Sequence, residues 1–183
     1  MKTNRKISPW MWIPTLYFAE GIPYFLVNNI SVMMFTKMGV PNGDMALFTS
    51  LLYLPWTIKP FWSPFVDIFK TKRWWVIAMQ LLMTAAFVLL TLTIPHPSAD
   101  VIASGQTPIS LFTVMLFIFI LVAFASATHD IAADGFYMLG LSEHEQASFV
   151  GIRSTFYRLS SIFGQGVLLV IAGILESRMN NMP

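Results

Sequence analysis

Six ionisable side chains interrupt stretches that are otherwise apolar enough to lie in lipid: Glu20, Lys59, Asp130, Asp134, Arg153 and Arg158. Each would cost about 2.5–3.5 kcal/mol at the centre of a bilayer, so such residues face a protein interior or water and are matched to partners. The chemistry open to them is ion pairing, proton uptake or capture of a charged solute. The densest stretch is "THDIAADGF", residues 128–136, which follows an uncharged run from Ile109 to Thr128. Asp130 and Asp134 stand four apart, on one helical face, and Ser126 continues that face.

The bases have matching positions. If the helices on either side of the polar break "LSEHEQAS" (141–148) form an antiparallel hairpin, facing positions share a constant sum. Asp130 then lies level with Arg158, and Asp134 level with Arg153. The expectation is two intramembrane ion pairs, Asp130–Arg158 and Asp134–Arg153. Glu20 falls near the middle of the first apolar stretch at 1.5 Å rise per residue, beside Gly21 and Pro23 and followed by Tyr24, Asn28 and Asn29. A carboxyl there can bind substrate or take up a proton, and Lys59 is its nearest basic candidate. His129 suits a hydrogen-bonding partner beside the aspartate, or a group that titrates near neutral pH. All six charges also admit a plainer reading, as salt bridges that fix helix packing.

The elements that hold these residues follow from composition. The 183 residues are 56% hydrophobic and 11% charged, with mean hydropathy +0.66. A soluble domain has about 25% charged residues. The net charge of +2 gives no reason to expect nucleic acid as a partner. No cysteine is present, which excludes disulfides and thiolate metal sites. No cofactor is implied. Runs of about 20 apolar residues suit spanning helices, and five are expected: 10–36, 44–65, 74–94, 109–138 and 150–175. Together they predict an all-α integral membrane bundle, one transmembrane domain over 1–183, with the lipid bilayer as its surroundings. The basic start "MKTNRKIS" resembles a signal peptide, but the apolar stretch after it is too long and lacks a cleavage site, which predicts a retained anchor helix.

Breaks between the runs carry turn chemistry: "KMGVPNGD" (37–44), "IPHPSADVIASGQTP" (94–108) and 141–148. Lys2, Arg5, Lys6, Lys70, Lys72 and Arg73 fall on one side and Lys37 and Arg178 on the other, which places the N-terminus in the cytoplasm. Pro14, Pro23, Pro55, Pro60 and Pro64 crowd the first two runs, as packing-adapted bends or as bends that shape a cavity or gate.

Four stretches, "YFAEGIPYFL", "LPWTIKPFWSPFVDIF", "ASATHDIAADGF" and "GIRSTFYRLSSIFGQG", resemble in order the AmpG-type muropeptide permeases. Their relatives include the acetyl-CoA transporters, and all belong to the major facilitator superfamily. The resemblance covers residues 10–175. It implies a secondary active transporter, proton-coupled, moving a polar solute such as a cell-wall muropeptide or acetyl-CoA across a bacterial inner membrane. Glu20, Tyr24, Asn28, Asn29, Lys59, Asp130 and Arg158 would then serve substrate or proton coupling, with Asp134 and Arg153 as a packing pair. The run Ser63 to Lys72 resembles the superfamily's G-x-x-x-D-x-x-G-R-R/K loop, keeping the aspartate and basic residues but neither glycine. The resemblance gives Asp67, Lys72 and Arg73 a gating role. Members have twelve or more helices in two halves, so five helices imply an incomplete N-terminal half that works with a missing C-terminal half.

Two other classes compete. "DIAAD" also resembles the magnesium-binding D-x-x-x-D of integral prenyltransferases, which would make Asp130 and Asp134 diphosphate–magnesium ligands. Such enzymes carry two aspartate-rich motifs, and only one is present. The third possibility is a non-transporting membrane assembly subunit.

Overall fold

The computed structural model describes residues 8–93 and 109–180, and every regular element in them is helical. The basic N-terminal residues Lys2, Arg5 and Lys6 and the connection 94–108 lie outside the described residues. Helix α1 (Pro9–Phe25) begins on Pro9, whose missing N–H costs nothing in the first turn. It contains Pro14 and Pro23 and runs into a wider π-helical turn at Leu26–Ile30, then α2 (Ser31–Lys37). Proline and π turns both free main-chain carbonyls, and side chains take them up. The Asn28 amide donates to Tyr24 O at 2.8 Å and the Asn29 amide to Phe25 O at 3.2 Å, while Ser31 Oγ bonds Val27 O.

Gly39, at φ +72°, turns the chain into α3 (Asn42–Ile58). Lys59–Phe61 tightens to a 3₁₀ turn around Pro60, and α4 (Ser63–Ile68) restarts with Pro64 in its first turn. Helices α5 (Lys72–Thr93) and α6 (Ile109–Gly140) are uninterrupted. Helix α7 (Glu143–Ile162) passes through a second π turn, Phe163–Val167, into α8 (Leu168–Asn180).

Among the described residues, two helices are long and apolar enough to cross a membrane, at Lys72–Leu92 and Phe112–Gly140. The other three expected spans correspond to helical stretches that a π or 3₁₀ turn divides. Large apolar side chains point outward, among them Trp10, Leu47, Phe61, Leu92 and Leu139. A folded protein in water rarely shows so continuous an apolar exterior.

The polar break is shorter than the expected 141–148. Ser142 and Glu145 form a capping box: Glu145 Oε2 accepts from Ser142 N at 2.8 Å and Ser142 Oγ accepts from Glu145 N at 3.4 Å. Reciprocal capping satisfies the orphan amides of the first turn, so the helix starts at Glu143. The hairpin expectation is also corrected. Helix α7 packs chiefly on α1, not on α6, while α6 is the centre of the bundle and touches α5, α1, α3 and α4. Buried alanines Ala123, Ala125, Ala127, Ala132 and Ala133 let those neighbours come close to α6.

The α1–α7 contact has a toothed form. Gly21 faces the buried Ser160, and a Cβ at Gly21 would collide with Ser160 Oγ and lie 3.3 Å from Tyr157 O. Gly21→Ala is expected to destabilise the purified protein by about 1–3 kcal/mol through overpacking. Thermal unfolding in detergent checks this: Ser160→Gly added to Gly21→Ala should restore most of the loss, and no restoration would contradict the contact.

Candidate functional site

Helix α1 presents Ile13, Tyr17, Glu20 and Gly21 on one buried stripe, at the spacing of a single helical face. Helix α6 brings Asp130 and Asp134 to that stripe, α7 brings Arg153, and the 3₁₀ turn after α3 brings Lys59. Tyr17, Glu20, Lys59, Asp130, Asp134 and Arg153 line a cavity of about 340 Å³, together with Ser154, Tyr157 and Arg158.

Two ion pairs cross it. Lys59 Nζ lies 2.5 Å from Asp130 Oδ2, and Arg153 Nη2 lies 2.8 Å from Asp134 Oδ1. The Tyr17 hydroxyl donates to Asp134 Oδ1 at 3.1 Å. The Arg153 guanidinium lies over the Tyr17 ring at 4.6 Å and near Tyr137 at 5.5 Å, so cation–π attraction adds to its charge pairing. Arg153 is thus held by α1 and α6 at once.

The expected Asp130–Arg158 pair does not form. Lys59 takes Asp130 instead, and so does not pair with Glu20 either. Two physical reasons apply. Arg153 and Arg158 are five residues apart, about 140° around the helix, so they cannot face one partner helix together. Helix α7 also leans on α1 rather than α6, so α1 separates α6 from α7 beyond the turn. Arg153, nearer the turn, still reaches α6. Arg158 makes no ion pair or hydrogen bond with the described residues and stands exposed on the cavity wall.

Glu20 is 6% exposed, and its Oε2 has no hydrogen-bond partner among the described residues. Carboxylate oxygens of Glu20, Asp130 and Asp134 lie within 4.8 Å of one another. That spacing is compatible with a shared cation, but Asp130 and Asp134 are already engaged by Lys59 and Arg153. The cavity therefore has two charges left over, a buried carboxyl at Glu20 and an exposed guanidinium at Arg158.

The remaining sequence candidates lie elsewhere. Asn28 and Asn29 spend their amides on their own helix and do not line the cavity. Tyr24 joins an aromatic cluster instead, 5.0 Å from Trp56 and 6.5 Å from Tyr157 between ring centroids, with its hydroxyl 3.5 Å from that of Tyr53. Tyr157 connects this cluster to the cavity. His129 is buried but neither ring nitrogen has a partner among the described residues, contrary to the hydrogen-bonding role expected for it. Adjacent helical positions diverge by about 100°, which points it away from Asp130. Asp67 and Lys72 pair within their loop, whereas Arg73 faces a different groove, so the three loop residues do not form one cluster.

Sequence reasoning missed Tyr17, Tyr137 and Tyr157. The signal was spacing: Tyr17 precedes Glu20 by three, Tyr137 follows Asp134 by three, and Tyr157 follows Arg153 by four, all same-face intervals.

A bundle of apolar helices around a charged cavity is the build of a membrane transport protein. The chain belongs to the acetyl-coenzyme A transporter 1 family, whose model matches residues 11–159. It is similar to an uncharacterized protein of Schizosaccharomyces pombe, 32% identical over 145 residues, covering 76% of this chain and 26% of that protein. An uncharacterized protein of Haemophilus influenzae is 24% identical over 162 residues, covering 86% of this chain and 35% of its own length. The anhydromuropeptide permease of Escherichia coli is 26% identical over 164 residues, covering 86% of this chain and 30% of the permease. The chain thus spans between a quarter and somewhat over a third of these curated relatives. No solved structure matches it significantly.

Removing one member of a fully buried ion pair strands the other at about 3–5 kcal/mol, and the cost is smaller for Lys59–Asp130, where the Lys59 side chain is 37% exposed. Asp130→Asn should therefore destabilise the protein, and Asp130→Asn with Lys59→Met should recover much of that loss. Arg158→Gln added to Asp130→Asn should recover nothing. A double-mutant cycle on unfolding midpoints checks the assignment, and rescue through Arg158 would reverse it.

Proposed function

We propose that this chain is the N-terminal part of a secondary active transporter of the major facilitator type, in which Glu20 takes up and releases the coupling proton. Five spanning stretches, three of them divided by π or 3₁₀ turns, make one transmembrane domain over residues 1–183. Its N-terminus and the loop carrying Lys70, Lys72 and Arg73 face the cytoplasm, by the excess of Lys and Arg there. The outward-facing apolar side chains support lipid as the solvent of this domain. A C-terminal half supplies the opposing wall of the cavity, and transport proceeds by rocking of one half against the other. The setting is a bacterial inner membrane.

One observation carries the proton assignment. Among three carboxyls that share a 4.8 Å neighbourhood, Glu20 alone lacks a cationic partner, and it is the most buried of them. One proton neutralises it without disturbing either ion pair. When the cavity reorganises and water or a cation reaches Glu20, that proton can leave. Arg158 is the natural anchor for an anionic group on the cargo, being on the cavity wall with its guanidinium uncommitted. The rings of Tyr24, Tyr53, Trp56 and Tyr157 beside it suit stacking on a sugar or a base. A polar, anionic solute such as a muropeptide or acetyl-CoA fits both features. Magnesium-dependent prenyl transfer fits less well, because Lys59 and Arg153 already neutralise the two aspartates that would have to balance a divalent cation.

The test uses the full-length transporter in vesicles. Glu20→Gln should cut proton-driven accumulation of a muropeptide or of acetyl-CoA by about 5- to 150-fold, the range of a 1–3 kcal/mol coupling between two sites. Downhill exchange and protein abundance should be retained. Accumulation at the wild-type level would remove Glu20 from the mechanism.

A further inference from the structure

Three carboxyls compete for any proton that enters the charged cavity. Oxygens of Glu20, Asp130 and Asp134 lie within 4.8 Å of one another, so each ionised neighbour favours a proton on the next. Lys59 and Arg153 take Asp130 and Asp134, but both pairs are partly open to water, with the Asp130 side chain 17% exposed and that of Asp134 33%. Water weakens an ion pair. Tyr157 and Arg158, on the cavity wall, make no hydrogen bond or ion pair with the three carboxyls among the described residues. Asp134, the more exposed aspartate, is set apart by a second partner, the Tyr17 hydroxyl.

That hydroxyl is held where three helices meet. Tyr17 is 1% exposed and precedes Glu20 by one turn on the buried stripe of α1. Its hydroxyl donates to Asp134 Oδ1 at 3.1 Å, the same oxygen that Arg153 Nη2 meets at 2.8 Å. The Arg153 guanidinium lies over its ring at 4.6 Å, and Tyr137 packs on it edge to face at 5.9 Å. Tyr137 is not free to take over the bond, because its own hydroxyl donates to Gln146 O at 2.5 Å. The Gln146 amide in turn donates to Met138 O and Leu141 O, so that second phenol is committed to the turn between α6 and α7. A hydroxyl that donates to a carboxylate favours its charged form, and such charge-assisted bonds are about twice as strong as neutral ones.

We infer that Tyr17 is a positioning residue that decides which carboxyl takes the proton. Its hydroxyl bonds Asp134 and its ring supports Arg153, and both keep Asp134 ionised. The first proton to enter the trio therefore goes to Glu20, one turn further along the same helix. A proton on Glu20 leaves both ion pairs in place. A proton on Asp134 would instead weaken the Arg153 and Tyr17 bonds that join α6 to α7 and α1. This role rests on the reading that Glu20 carries the coupling proton, as proposed above, but not on the cargo or on any segment outside this chain.

The test is an infrared pH titration of the full-length protein in detergent, which reads the carbonyl stretch that a carboxyl gains on protonation. The band lost in Glu20→Gln belongs to Glu20, and the band lost in Asp134→Asn belongs to Asp134. In the wild type the Glu20 band should appear first as the pH falls. Tyr17→Phe removes the hydroxyl and keeps the ring against Arg153. It should raise the half-point of the Asp134 band by about one pH unit, a ten-fold gain in proton affinity, as expected for loss of a hydrogen bond to a charged group. Fluorotyrosine introduced at position 17 keeps ring and hydroxyl but donates more strongly, so it should lower that half-point; it serves if Tyr17→Phe does not fold. A role in packing alone would lower the unfolding midpoint and leave the Asp134 half-point where it is. An unchanged half-point in a folded Tyr17 variant, with the first band still lost in Glu20→Gln, overturns the role of Tyr17 alone. A first band that survives Glu20→Gln overturns the Glu20 reading and the role of Tyr17 with it.

Discussion

Charge cancellation around α6 governs the rest of this structure. Two aspartates on one helix face cannot both lie among apolar side chains unless cations arrive from other elements. Lys59 comes from a 3₁₀ turn and Arg153 from α7, and each pair ties a separate part of the chain to the central helix. The alanines that flank the aspartates on α6 let its neighbours pack closely around the two pairs. Packing and electrostatics are in this way one requirement. The pairs also leave a defined remainder, a buried carboxyl on α1 and an unengaged guanidinium on α7, and that remainder gives the cavity its chemical character.

The irregular turns are where the positioning is done. Pro60 and Pro64 interrupt α3, and Lys59, at the start of the resulting 3₁₀ turn, reaches Asp130. Pro23 precedes the π turn of α1, whose freed carbonyls are bonded by Asn28 and Asn29. Residues that look like ligands in the sequence are here consumed by the backbone they perturb. Polar side chains within lipid often have this local duty, because no water is present to take it.

How much of this was legible in the sequence depends on the range of the interaction. The all-helical character and the family followed from hydropathy and from four motif stretches in order. Glu20, Lys59, Asp130, Asp134, Arg153 and Arg158 stood out because charge in an apolar run is rare, and all of them line one cavity. Partner choice was less accessible. Depth can be counted along a chain, and it brought Arg153 level with Asp134. Direction around a helix and the neighbour of each helix are tertiary facts, and they sent Asp130 to Lys59. The capping box at Ser142 and Glu145 was readable as S-x-x-E, yet the polarity of 141–148 suggested a loop because helix starts and loops share composition. Tyr17 was hidden among many aromatics, most of which only pack.

The notch at Gly21 constrains how this assembly can move. Ser160 seats in it, and the neighbours Glu20 and Ile22 have side chains that could not take its place. A slip of one residue between α1 and α7 would jam, so the register of the two helices is fixed and they form a single plate. Glu20, Tyr17, Arg153 and Arg158 all ride on that plate, while Asp130 and Asp134 belong to α6. The charged cavity consequently has one wall on that plate and the other on α6, and the Tyr17–Asp134 and Arg153–Asp134 contacts are what join the two walls.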